Sequence, residues 1–185
     1  MTGVLPWEAG RWWTLLTAIY LHGSLLHGLF NVLWIRQLAP AVEEVYGRPR
    51  AFLLFTASGV ASFVLSNALG IGFTIGASGA VFGLLGAMVQ FGRSRGGTYG
   101  VAVVRQYWQW ALVLFVMGFL MPGVNNAAHA GGFMGGGPAQ DQSDLTAANA
   151  AEMFLGMSMV NCILCHDGVA RAAVGRWRSR WPPWR

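Results

Sequence analysis

Charge is what this sequence has least of. Charged residues make up 10% of its 185 positions, where a soluble domain carries about a quarter. Lysine is absent, so all 12 basic residues are arginine, set against 7 acids. With 55% hydrophobic residues and a mean hydropathy of +0.47, this scarcity excludes an ordinary soluble fold. A polytopic membrane protein is left. Two cysteines cannot make a disulfide framework. Residues 1–10 lack a basic start and a long apolar core, so no cleavable signal peptide is expected. The first spanning helix is then expected to act as the targeting signal. No soluble basic domain is visible, which argues against a nucleic-acid partner. The formal charge of +5, with five arginines in the last 20 residues, suits a face of the lipid bilayer rich in anionic headgroups.

What is present is a series of apolar runs. Residues 1–24 are aromatic and mixed, with Trp7, Trp12, Trp13 and Tyr20 beside Glu8 and Arg11. Such rings favour the membrane–water interface, so a membrane-hugging loop is expected there. A helical membrane core is expected over 25–137, with spans near 25–42, 51–69, 78–91 and 107–121 and a short fifth segment over 127–137. Two of these runs fall below the roughly 20 residues of a straight span, so helix ends must extend into the loops. Residues 138–185 read as a polar linker, an interfacial helix near 147–165 and a basic tail on the inner side. Arginines mark the loops at 46–50 and 92–105, whereas 70–77 and 122–126 have none. By the positive-inside rule the first pair is cytoplasmic, giving a multi-pass chain in the cell membrane if the source is bacterial. Three helix starts, near residues 25, 78 and 127, then share the outer side.

That shared depth matters because each start carries a polar group. His27 and Asn31 lie on one face of the first span, four residues apart. Ser78 opens the third span and His129 the fifth. A serine hydroxyl becomes a nucleophile when a base within hydrogen-bond reach takes its proton, and His129 is the plausible base at this depth. Gly79, Gly83 and Ala87 recur every four residues, as do Ala128, Gly132 and Gly136. Two small-residue stripes of this kind let helices approach closely in lipid. Side-chain donors from His27 and Asn31, with the Ser78 N–H, could serve as an oxyanion hole. Glu8, Glu43 and Glu44 all lie at other depths, so the pattern offers a dyad and no triad.

These residues resemble the rhomboid family of intramembrane serine proteases. The matching pieces are Arg11-Trp-Trp-Thr-Leu-Leu-Thr17, His22-Gly-Ser-Leu-Leu-His27 leading to Asn31, Gly76-Ala-Ser-Gly79, and Ala128-His129 with Gly132 and Gly136. They cover about residues 10–137 in the family's order. The resemblance implies an all-α, rhomboid-like transmembrane helix bundle. It implies Ser78 as nucleophile, His129 as general base and then acid, and His27 with Asn31 at the oxyanion. It implies substrates that are transmembrane segments of other proteins, cut near the outer face, with no cofactor and no metal. About ten residues precede Arg11, so the first family helix is expected to be lacking, as from a shortened start to the reading frame. Thr14 stands where the family pattern carries arginine, and Pro138 and Asp141 interrupt the helix after the glycines.

Competing readings follow from the same residues. A serine in a glycine-rich membrane helix is by itself more often a packing residue. A catalytically inactive rhomboid-like protein that binds membrane segments is therefore the alternative. His22 is expected to be a hydrogen-bonding residue where loop meets helix. Arg36 is expected to snorkel or to pair with a helix-end carbonyl. Cys162-Ile-Leu-Cys165-His166 matches a c-type haem attachment motif and would suit an electron-transfer protein, but chance is the simpler explanation. A zinc site from His22, His27 and His129 lacks the water-activating glutamate of H-E-x-x-H.

Overall fold

A computed structural model describes residues 10–71 and 73–137 of the chain. Among these the regular structure is helical throughout: α1 (Thr14–Thr17), a 3-10 turn (Ala18–Tyr20), α2 (Leu25–Tyr46), α3 (Arg48–Ala68), α4 (Ser78–Arg95), α5 (Gly97–Leu120) and α6 (Asn126–Gly136). The expected linker, interfacial helix, basic tail and Cys162–His166 motif lie outside the described residues.

Local chemistry sets the helix ends. The Ser24 hydroxyl accepts the His27 N–H at 3.2 Å and caps α2, which stops at Gly47 with φ of 78°. Pro49 fits the first turn of α3, where its missing N–H costs nothing. The Asn125 side chain accepts the Ala128 N–H at 3.2 Å and starts α6. One boundary differs from the sequence reading. The basic stretch 92–105 is not a loop, because α4 continues to Arg95 and α5 begins at Gly97. Gly96 and Gly97 both take positive φ, 63° and 61°, which reverses the chain in two residues. Arg93, Arg95 and Arg105 therefore sit on helices that run on past the apolar stretch.

The bundle is organised around α4, which is buried along nearly its whole length. Its glycines meet backbone and small side chains on both sides. A Cβ on Gly83 would collide with the Ser58 side chain of α3, and one on Gly86 with the Phe133 carbonyl of α6. In return, Gly132 and Gly136 of α6 rest on the carbonyls of Gly79 and Gly83. The two predicted stripes do meet. A third stripe escaped the sequence reading: Ser58, Ser62 and Ser66 of α3, each 0% exposed, recur every four residues against α4 and α6. Ser58 and Ser62 return their hydroxyls to carbonyls of their own helix, at 2.6 Å from Leu54 O and 2.7 Å from Gly59 O. Each thus presents a small surface with no unsatisfied polar atom.

Two further contacts tie the periphery to this centre. The Tyr46 hydroxyl, at the end of α2, donates to the Ala87 carbonyl at 2.9 Å. In the 10–24 segment, Ile19 is fully buried against Gly59 and Ala80, while Trp12 and Trp13 remain exposed. The Gly76 N–H donates to the Ala18 carbonyl at 2.9 Å, joining this segment to the loop ahead of α4. Thr14 spends its hydroxyl locally, on the Arg11 carbonyl at 2.7 Å. Arg36 is exposed on α2 with no hydrogen bond or ion pair to the described residues, which leaves snorkelling of the two expected alternatives.

By length and composition, α3 and α5 can each cross a membrane, and the bent pair Thr14–Tyr20 and Leu25–Tyr46 can count as a third span. The protein is membrane-embedded. At 1.5 Å per residue, α6 reaches about 16 Å, half the hydrocarbon thickness. Its glycine-rich face packs between α3 and α4, while Met134 on the other face stays exposed.

Candidate active site

A cavity of about 500 Å³ opens where the N-terminal ends of α2, α4 and α6 converge. All four residues singled out from the sequence line it: His27, Asn31, Ser78 and His129. Ser78 is the first residue of α4, reached through the left-handed Gly76 (φ 121°). A side chain at Gly76 would be strained in that conformation, and its Cβ would lie 2.7 Å from Cε1 of the His27 ring. Glycine before the serine thus lets the imidazole of α2 sit against the turn that presents Ser78.

His129 Nε2 lies 2.9 Å from Ser78 Oγ. The ring is 6% exposed and stacks on Phe82 of α4, with centroids 4.4 Å apart and planes 14° from parallel. Its other nitrogen, Nδ1, is 3.0 Å from Asn126 Oδ1. An amide oxygen can only accept, so Nδ1 carries the proton in this pairing and Nε2 presents a lone pair to the serine hydroxyl. Asn126, one turn ahead on the same helix, thus holds the far side of the ring, a third group beside Ser78 and His129. Among the described residues no carboxylate lines the cavity, and the signal for this third group in the sequence is the i, i+3 spacing of an amide and a histidine.

His27 and Asn31 reach the cavity but make no hydrogen bond to Ser78 or His129. Asn31, 2% exposed, donates Nδ2–H to the His27 carbonyl at 2.9 Å, one turn back on its own helix. His22 does not behave as expected. Its ring meets His27 edge to face at 5.1 Å, and its buried Nε2 has no hydrogen-bond partner. It acts as a packing surface beside Gly28. Apart from Ser24, Thr74 and Asn125 the wall is largely apolar, with Phe30 and Trp34 from α2, Leu114 and Met117 from α5, and Met121 just past its end. Among the described residues no group of three His, Cys, Asp or Glu side chains converges. Chemically, the site sets a largely apolar cavity beside a hydroxyl whose proton has an acceptor.

Comparison with known proteins agrees with this geometry in where it falls. The profile described as Rhomboid domain matches residues 9–138. The chain is 33% identical over 127 residues to Rhomboid protease GluP of Bacillus subtilis, a match that takes in 69% of this chain and 25% of that protein. It is 35% identical over 147 residues to RHOMBOID-like protein 7 of Arabidopsis thaliana, covering 72% of this chain and 45% of the relative. RHOMBOID-like protein 4 of the same plant is 37% identical over 126 residues, covering 67% and 32%. The chain thus spans between a quarter and a half of the length of these relatives.

Proposed function

We propose an enzymatic role on one premise: this chain belongs to the rhomboid family, its Rhomboid-domain match running over residues 9–138. The role is that of an intramembrane serine endopeptidase acting on transmembrane segments of other proteins. The observation that carries it is the 2.9 Å contact between Ser78 Oγ and His129 Nε2, with Nδ1 held by Asn126. A nucleophile, a base and an orienting group in series is the arrangement that nucleophilic catalysis requires.

Ser78 Oγ attacks the scissile carbonyl while its proton passes to His129 Nε2. The tetrahedral oxyanion is met by the Ser78 N–H at the start of α4 and by donors from His27 and Asn31. For Asn31 this requires releasing its bond to the His27 carbonyl or using its second N–H. His129 returns the proton to the leaving amine, and the C–N bond breaks to leave an acyl-enzyme on Ser78. Water, deprotonated by His129, then attacks the ester and frees Ser78 with its proton restored. Each oxyanion donor is worth about 3–4 kcal/mol of transition-state stabilisation. In this reading the chain crosses the membrane more than once with the cavity toward the outer face, the orientation that the arginine distribution favours. The 1–24, 25–137 and 138–185 divisions belong to the same reading, with the first hugging the membrane surface.

The catalytically inactive alternative has one observation in its favour. Thr14 uses its hydroxyl on the Arg11 carbonyl, where the family pattern carries an arginine. One experiment decides between the two. A reporter with a helix-breaking membrane segment is co-expressed with wild type, Ser78→Ala or His129→Ala. Cleavage by wild type, lost in both variants, is expected. Equal product from wild type and Ser78→Ala removes Ser78 as the nucleophile.

A further inference from the structure

Close packing of α4 on α6 brings Ser78 near His129, but glycine against carbonyl resists sliding and rotation poorly. Among the described residues, the Ser78–His129 contact is the one side-chain hydrogen bond that crosses from α4 to α6. A further directional element stands just outside that seam. Asn125 donates from Nδ2 to Ser66 Oγ at 2.5 Å and to Thr74 Oγ1 at 2.7 Å, while its Oδ1 caps α6 by accepting the Ala128 N–H. Ser66 Oγ and Thr74 Oγ1 are 3.1 Å apart, and Ser66 donates to the Ile71 carbonyl at 3.3 Å. The proton inventory closes. Asn125 supplies both amide hydrogens, Thr74 passes its hydroxyl hydrogen to Ser66, and Ser66 passes its own to Ile71 O.

The spacing gives this cluster its meaning. Thr74 stands four residues before Ser78, and Asn125 stands four residues before His129. Ser66 anchors both to the buried face of α3, at 0% exposure. A single amide thus ties the loop that delivers the hydroxyl to the helix turn that delivers the ring. We propose that Asn125, acting through Thr74 and Ser66, is a positioning residue that sets the register of Ser78 against His129. The inference rests on the protease reading above.

The test uses the full chain in bilayers. It measures the rate at which a fluorophosphonate labels Ser78, together with kcat and KM on the reporter segment. Thr74→Val removes one acceptor at nearly constant shape and leaves the α6 cap in place. Thr74→Ser keeps the hydroxyl. Asn125→Ser keeps a capping oxygen but is too short to reach Thr74 and Ser66. Small misplacements of reacting atoms cost up to about 100-fold in rate, so Thr74→Val and Asn125→Ser are expected to lower labelling and kcat by about tenfold or more. KM is expected to stay unchanged, and Thr74→Ser to restore the rate to within about twofold of wild type. Wild-type labelling and kcat in Thr74→Val and Asn125→Ser overturn the inference, as does a loss carried by KM alone or a Thr74→Ser as slow as Thr74→Val. Failure of the protease reading looks different: wild type itself is neither labelled nor active, matching Ser78→Ala, and both readings fall.

Discussion

Helices α4 and α5 both line the cavity, yet they are buried by opposite rules. In α4 the buried set is almost continuous and rich in glycine, from Gly79 through Gly83 and Gly86 to Gly92. In α5 burial follows a single stripe, Gly100, Val103, Tyr107, Ala111, Leu114 and Gly118, with gaps of three or four residues. The large apolar residues of α5, including Trp108, Leu112, Val113, Val116 and Phe119, point outward. In water that would be inside out. In lipid, apolar side chains gain little by turning inward, and close backbone approach decides what is buried. Small residues mark the places where α4 meets its neighbours' backbones, at Gly79, Gly83 and Gly86, while Phe82, Leu85 and Met88 are buried beside them.

The strongest way to break the contrast is to give the seam a side chain. In Gly132→Ala the new Cβ meets the backbone of Gly79, which cannot swing aside as a side-chain tip would. Overpacking of this kind costs about 1–3 kcal/mol, occasionally more. A melting assay in detergent should show the loss, with Ser78 labelling down at least about tenfold as the helices separate. Melting and labelling unchanged from wild type would mean that α4 and α6 do not approach as closely as described.

A narrower effect, on rate without loss of stability, is expected where α5 meets α6 at the site. Gly118 of α5 leaves room for the Asn126 amide, which a Cβ at that position would strike. Asn126→Ala removes the acceptor from His129 Nδ1 and lets the ring rotate or change tautomer. General-base catalysis contributes about 10²–10⁴-fold, and losing the orientation of the base should cost a share of that, about 10–100-fold in kcat. Melting should move little, because the site of change is one turn of a short helix. A kcat equal to wild type would leave Asn126 without an orienting role.

The smallest effect should come from the outward face of α5. Val116→Ala trims a lipid-facing side chain that touches none of the site, and surface substitutions usually stay within about 0.5 kcal/mol. Labelling and melting at wild-type values are expected. A loss as large as that of Gly132→Ala would show that this face packs against another chain.

Much of this arrangement was legible from residue types and spacing. The small-residue stripes at Gly79, Gly83, Ala128, Gly132 and Gly136 announced which helices meet. The arginine-free loops put Ser78, His129, His27 and Asn31 near one end of the bundle. The α3 serines were harder to see, because serine reads as polar until its hydroxyl is known to return to its own helix. The start of α5 was misjudged because arginines signal the membrane edge, and a helix can pass that edge without stopping. Asn126 and Asn125 looked like loop residues. One caps a helix while binding the loop ahead of Ser78, and the other holds the histidine ring.

Apolar runs and scarce charge determined that this chain is a membrane-embedded helix bundle, because lipid admits few other backbone solutions, and the order of a few glycines, a serine and histidines carried the resemblance to the rhomboid family. Only the tertiary structure decided the pairing of Ser78 Oγ with His129 Nε2, the proton on Nδ1, and the knot of Asn125, Thr74 and Ser66. Those depend on angles and on separations of a few ångströms between segments about 50 residues apart, which linear spacing does not carry.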